Sequence, residues 1–267
     1  MREIDQALAR AYAQRGASDP GTVPPAPHLV PRSKDDAHAS PIPAPHLLEN
    51  PEWDDAPEPF LLHWPATVRI LERDCGDRFE QMAEFILGAR DTQGMKVLLF
   101  TSCHRAEGRT TLVLTLARAL ARRAGRTLLV EGDLTGPMLA RQLGLRPTVG
   151  LDDVVEHGTA LNDALIDVPD EHLTILPLRA PVARPREFLA STGWSCTLSR
   201  LRRDFDLVLI DGSPLFAGLS AAALHRSVDG AILVQNHTLT GQRALLRAQE
   251  ILNEGGVPLL GLAETFV

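Results

Sequence analysis

The segment Phe100-Thr-Ser-Cys-His-Arg-Ala-Glu-Gly-Arg-Thr-Thr111 places a glycine, a cation and two hydroxyls at consecutive positions, Gly108, Arg109, Thr110 and Thr111. Those residue types in that order suit a phosphate. Glycine allows close backbone approach, the cation offers charge, and the Thr110 hydroxyl can ligate Mg²⁺. The segment lies between an apolar run and a helical pattern, where backbone N–H groups of a turn and a helix N-terminus present partial positive charge to an anion. Against the common pattern of glycine, four variable residues, glycine, lysine and serine or threonine, Cys103 replaces the first glycine and Arg109 the lysine. An ordinary strand-loop-helix with a threonine-rich helix start fits the same residues.

Two acidic positions join this loop. Asp133 follows the apolar run Thr127 to Glu131, and Asp211 ends the run Leu207 to Asp211. In an open α/β sheet ligands bind outside the carboxyl ends of the strands, so three elements are expected to converge on one crevice. Mg²⁺ takes a few carboxylate or hydroxyl oxygens together with water and phosphate oxygens, which makes Thr110, Asp133 and Asp211 the candidate metal set. Cys103, His104, Arg105, Ala106, Glu107, Gly108, Arg109, Thr110 and Thr111 form the candidate nucleotide-binding loop. Taken singly, each aspartate serves equally well as a loop or helix-capping residue. His104 and Arg105 can add positive charge beside a phosphate or simply be solvated, and Cys103 reads better as packing than as a reactive thiol.

The elements that must position these groups are legible in the apolar pattern. Val97 to Thr101, Thr127 to Glu131, Leu173 to Pro177, Leu207 to Asp211, Ala231 to Gln235 and Leu259 to Ala263 are short, nearly continuous apolar runs separated by helical patterns. A parallel sheet covered on both faces requires that arrangement. Helices are expected around Phe79 to Arg90, from Thr110 to Arg123 with Gly125 as stop signal, and from Thr240 as N-cap to Gly255-Gly256. Three regions follow: a short amphipathic helix over 1–16, a flexible linker over 17–59 that holds 11 of the 20 prolines, and an α/β domain over 60–267.

Composition narrows the function classes. A formal charge of −7 argues against nucleic acid or an anionic lipid surface as a direct partner, and one tyrosine with three tryptophans offers no stacking platform for single strands. Three scattered cysteines and the lack of a signal pattern lead us to expect a reducing, cytoplasmic setting. No apolar run reaches the length of a membrane span, so any approach to the inner face of the cell membrane is expected to go through a partner.

Taken in order, Ser102 to Thr111, Val130 to Pro137 and Asp206 to Pro214 resemble the Walker A, Walker A′ and Walker B motifs of the bacterial tyrosine kinases, the P-loop ATPases that work with polysaccharide co-polymerases in capsule and exopolysaccharide production. The resemblance covers about Phe79 to Val267, and Arg2 to Arg10 is similar to the N-terminal helix of stand-alone members. It implies a P-loop NTPase-like fold, ATP with Mg²⁺, and a membrane polysaccharide co-polymerase or export protein as partner, with room for a homo-oligomer. It assigns Arg109 to the phosphate-binding lysine, Thr110 to the metal hydroxyl, Asp133 to the Walker A′ aspartate and Asp211 to the Walker B aspartate. Glu131, Asp133 and Asp211 are then the catalytic candidates.

The chain departs from the pattern at Arg109, at Glu131 where the family has an aspartate, and at Thr135 where an arginine is common. The Glu-x-x-Arg-x-x-Arg assembly pattern is missing from Phe79 to Arg90, and no tyrosine follows Tyr12. Two functions are carried forward. One is transfer of the ATP γ-phosphoryl group to another protein, or ATP hydrolysis. The other is a non-catalytic scaffold regulating polysaccharide export.

Overall fold

The computed structural model describes residues 62–217 and 228–265. The expected N-terminal helix, the proline-rich linker and the two residues at 60–61 lie outside them. Seven strands among the described residues, β1 (Val97–Ser102), β2 (Thr127–Gly132), β3 (Ile166–Val168), β4 (Leu173–Leu176), β5 (Leu207–Gly212), β6 (Gly230–Asn236) and β7 (Leu259–Thr265), form one sheet in the order β3-β4-β2-β5-β1-β6-β7. All neighbours run parallel except β3, which pairs antiparallel with β4. All six expected strands are present. Strand β3, only three residues long, is too short to carry a period of two and was not expected.

Alternation along the strands explains the two cores. In β1, Val97 and Leu99 join a cluster with Trp194, Leu198 and Leu252. The intervening Leu98 and Phe100 join a second cluster with Ile86, Leu116 and Leu120. Both faces of the sheet are therefore covered, as a buried parallel sheet demands. The second face is packed by α1 (Ala66–Gln93), α2 (Arg109–Ala121) and α3 (Leu139–Leu143). The first is packed by α4 (Leu151–His157), α5 (Leu161–Ala164), α6 (Pro185–Ala190), α7 (Thr192–Asp204) and α8 (Gln242–Glu254).

Three boundaries differ from expectation. Helix α1 starts at Ala66 rather than near Phe79 and carries one non-helical residue, Cys75. Its early part is held to α2 by Arg118, which pairs with Glu72 and, at 2.8 Å, with Glu171, and which stacks over Trp64 at 4.6 Å. Helix α2 closes at Ala121, ahead of Gly125, whose φ of 82° serves the turn into β2 instead. Thr240 does not cap α8. Gly241 takes that position, and the Thr240 hydroxyl is drawn to Glu107.

Strand order matters most for the site. β5 sits between β1 and β2, with Asp211 in register with Phe100 on one side and with Glu131 on the other. The loops after three strands that are distant in sequence thus open on the same end of the sheet.

Candidate functional site

After β1 the chain turns through Cys103 to Gly108 and enters α2 at Arg109. Two positions of the turn have left-handed backbone, Ala106 with φ 64° and Gly108 with φ 78°. A Cβ on Gly108 would also meet Thr265 at 3.3 Å, so both conformation and space favour glycine there. Glu107 is buried although it belongs to the loop. Its carboxylate accepts the His104 N–H at 2.7 Å, the Asn236 N–H at 3.3 Å and the Thr240 hydroxyl. Its carbonyl accepts the Thr265 hydroxyl at 2.6 Å. The loop is therefore pinned to the end of β6 by hydrogen bonds to a charged group, the stronger kind, and to the end of β7 by a neutral one.

Arg109 lies 9% exposed, with its guanidinium turned toward the strand ends. Nε donates to Asp211 Oδ1 at 2.7 Å, Nη1 donates to the Ser102 hydroxyl at 3.3 Å, and Nη2 stands 3.5 Å from Asp133 Oδ2. Burial opposes its charge, but Asp211, Asp133 and Glu131 more than offset that and hold the pKa above the ordinary arginine value. Asp133 is also approached from outside. Arg105 donates to its Oδ2 at 2.9 Å and its Oδ1 at 3.3 Å, and Oδ1 further accepts from the hydroxyls of Thr135 and Ser213, each at 3.1 Å, and from the Gly136 N–H at 3.2 Å.

Glu131 faces elsewhere. One oxygen accepts the Asp133 N–H at 3.1 Å and the other accepts the N–H groups of Met138 and Leu139, both at 2.7 Å. The carboxylate thus caps the first turn of α3, whose free amides need an acceptor. Burial, and then the neighbouring Asp211, push its pKa up to about 8 against the pull of those amides.

Cys103 corrects the sequence reading of the loop as a whole. Its side chain is fully buried, its Sγ lies 3.8 Å from the Ala244 carbonyl, and burial followed by Glu107 pushes the thiol up to about 11. It packs under α8 and does not face the ligand space.

That space is a cleft of about 1410 Å³ between the loop, α1 and the ends of β6 and β7. His104, Arg105, Ala106, Glu107, Gly108, Arg109, Thr110, Thr111 and Asp133 line it, whereas Cys103, Glu131 and Asp211 do not. Asp211 Oδ2 has no hydrogen-bond partner among the described residues, but Arg109 stands between this carboxylate and the loop. Of the three oxygen donors expected for Mg²⁺, Thr110 lines the cleft, Asp133 is committed to two arginines, and Asp211 lies outside the lining. As arranged, the acidic pair does not fit a divalent cation. Ser102 and Ser213 hold this arrangement together and were not anticipated as site residues. A lone hydroxyl at a strand end carries no spacing signal, and only its neighbours across the sheet reveal it.

No family model matches the chain. Tyrosine-protein kinase CpsD of Streptococcus pneumoniae is 27% identical over 169 residues, 63% of this chain and 74% of the relative. The VpsO kinase domain is 26% identical with a TM-score of 0.64, covering 73% of this chain and 98% of that one. In sequence and in fold the chain is similar to the bacterial tyrosine kinases. The fold of this bacterial tyrosine kinase relative is that of P-loop NTPases more widely. The septum site-determining protein MinD of Pyrococcus horikoshii, solved with Mg-ADP, is 27% identical with a TM-score of 0.52 over 62% of this chain and 68% of MinD. The loop from Cys103 to Gly108 lies between β1 and α2, and the Arg109 guanidinium that follows it is paired to both acidic strand ends.

Proposed function

We propose that this protein binds ATP in the cleft above Gly108 and acts, as a tyrosine-kinase-like member of capsule or exopolysaccharide biosynthesis, by passing the γ-phosphoryl group to a partner protein or to water. The partner is a membrane polysaccharide co-polymerase or export protein that brings the chain to the inner face of the cell membrane. No helix among the described residues is long and apolar enough to cross a membrane, which agrees with recruitment by a partner. The observation that carries the reading is the loop itself: positive-φ Gly108 leads into the N-terminus of α2, and the amide-rich turn opens on a cleft large enough for a nucleotide. In the transfer, the bond between the γ-phosphorus and the β–γ bridging oxygen breaks as the acceptor oxygen bonds to phosphorus. The acceptor proton passes to Asp133, the catalytic candidate among Glu131, Asp133 and Asp211 that lines the cleft.

Thermal unfolding with ATP, ADP and GTP tests the binding. Ligand at a hundred times its dissociation constant stabilises by about 2.7 kcal/mol, and no stabilisation by any of the three would defeat the proposal.

The pairing of Arg109 with Asp211 favours a second reading, a nucleotide-binding scaffold without phosphoryl transfer. A guanidinium held by carboxylates is not free to follow charge onto a departing phosphoryl group. Turnover of ATP that disappears in Asp211→Asn supports the enzyme. Tight binding with no turnover supports the scaffold.

A further inference from the structure

We propose that the Arg109 guanidinium is the resident counter-cation of Asp133 and Asp211, so that the cleft takes a nucleoside triphosphate with no divalent metal bound to those carboxylates. This rests on the nucleotide-binding reading above and concerns what accompanies the nucleotide.

Charge and geometry carry it together. Mg²⁺ needs oxygens at about 2.0–2.1 Å in near-octahedral array. A metal on Asp211 Oδ1 would share that oxygen with Arg109 Nε, already 2.7 Å away, and a metal on Asp133 Oδ2 would sit among Arg109 and Arg105 at 3.5 and 2.9 Å. Two like-signed cations so close repel strongly in a buried setting. Arg109 does not yield by losing its proton, because guanidinium stays charged. Nor does it swing away freely, since its departure would leave Asp211 buried at 1% exposure without its cation. The planar fork spans Asp211, Ser102 and Asp133 in one conformation. An ammonium on a lysine stem is a single point and cannot bridge them in that way.

The arginines and the aspartates balance: Arg105 and Arg109 against Asp133 and Asp211. Arg105, half exposed and lining the cleft, is the cation available to turn onto the phosphates beside the loop amides.

Isothermal titration calorimetry of the full chain with ATP, once in EDTA and once in excess MgCl₂, tests the inference. The two dissociation constants should agree within about threefold, less than half of the 1.4 kcal/mol that marks a tenfold change. In Arg109→Lys, which releases the carboxylates, MgCl₂ should tighten ATP by about tenfold or more. Tightening of the wild-type chain by MgCl₂ to that extent overturns the inference and leaves the nucleotide site standing. An Arg109→Lys chain that ignores MgCl₂ also overturns it, because the arginine would then not be the cause. Failure of ATP to bind in either buffer removes the nucleotide reading and this inference with it. Should the variant not fold, the wild-type comparison decides alone.

Discussion

Gly136 leaves the space that the Arg105 guanidinium fills: a Cβ at residue 136 would lie 2.7 Å from Arg105 Nη1. The bridge from the loop after β1 to Asp133 therefore depends on a missing methyl group in another loop. Since the obstructed atom is the end of a flexible side chain, Gly136→Ala should displace Arg105 from Asp133 without unfolding the loop. Both Gly136→Ala and Arg105→Gln are expected to cost less than about 1 kcal/mol in urea unfolding, the range of half-exposed ion pairs. A loss above about 3 kcal/mol would mean that the bridge belongs to the buried network.

Glu107 should be far less tolerant. Glu107→Ala leaves the His104 and Asn236 amides and the Thr240 hydroxyl without their acceptor, and the two buried donors among them, Asn236 and Thr240, together cost about 3 kcal/mol or more when unpaired. Urea unfolding measures it. A cost under about 1 kcal/mol would show that water replaces the carboxylate.

The stability of the chain should fall as pH rises from about 4.5 to about 8 through Glu131. Its folded pKa is raised to about 8 from an ordinary 4.5, by burial first and Asp211 second. Across that window the folded state holds a proton that the unfolded state has released, so the slope of unfolding free energy with pH is negative. The contribution is fully present below the lower value and lost above the upper one. Urea unfolding of wild type and Glu131→Gln at several pH values isolates it, the variant losing this component of the slope. Equal slopes would remove Glu131 from the account.

Thiol labelling should separate the three cysteines. Cys103 is buried with its pKa pushed up to about 11, Cys75 is buried, and Cys196 is exposed. Thiolate is the reactive form, so a disulfide reagent at neutral pH should label one thiol rapidly in the native chain and all three after denaturation. Rapid native labelling of Cys103, located by peptide mapping, would contradict its packed position under α8.

The alternation of apolar runs with helical patterns, from Val97 to Ala263, was enough to read a mostly parallel sheet with helices on both faces. The glycine, cation and hydroxyls from Gly108 to Thr111 were enough to mark the turn between β1 and α2 that lines the cleft. Both signals are local: a strand or helix face repeats within a few residues, and a loop between them inherits its place. The partners of the charged groups are not local. Arg109 reaches Asp211 across 102 residues, and it does so because β5 is inserted between β1 and β2. Glu131 turns to the amides of α3 because that five-residue helix, too short to show a period, is folded beneath it. Cys103 points into the core because α8 packs over the first turn of the loop. Spacing along the chain could name these residues as candidates, but the assembled sheet, by choosing which charges become buried neighbours, set the direction in which each one acts.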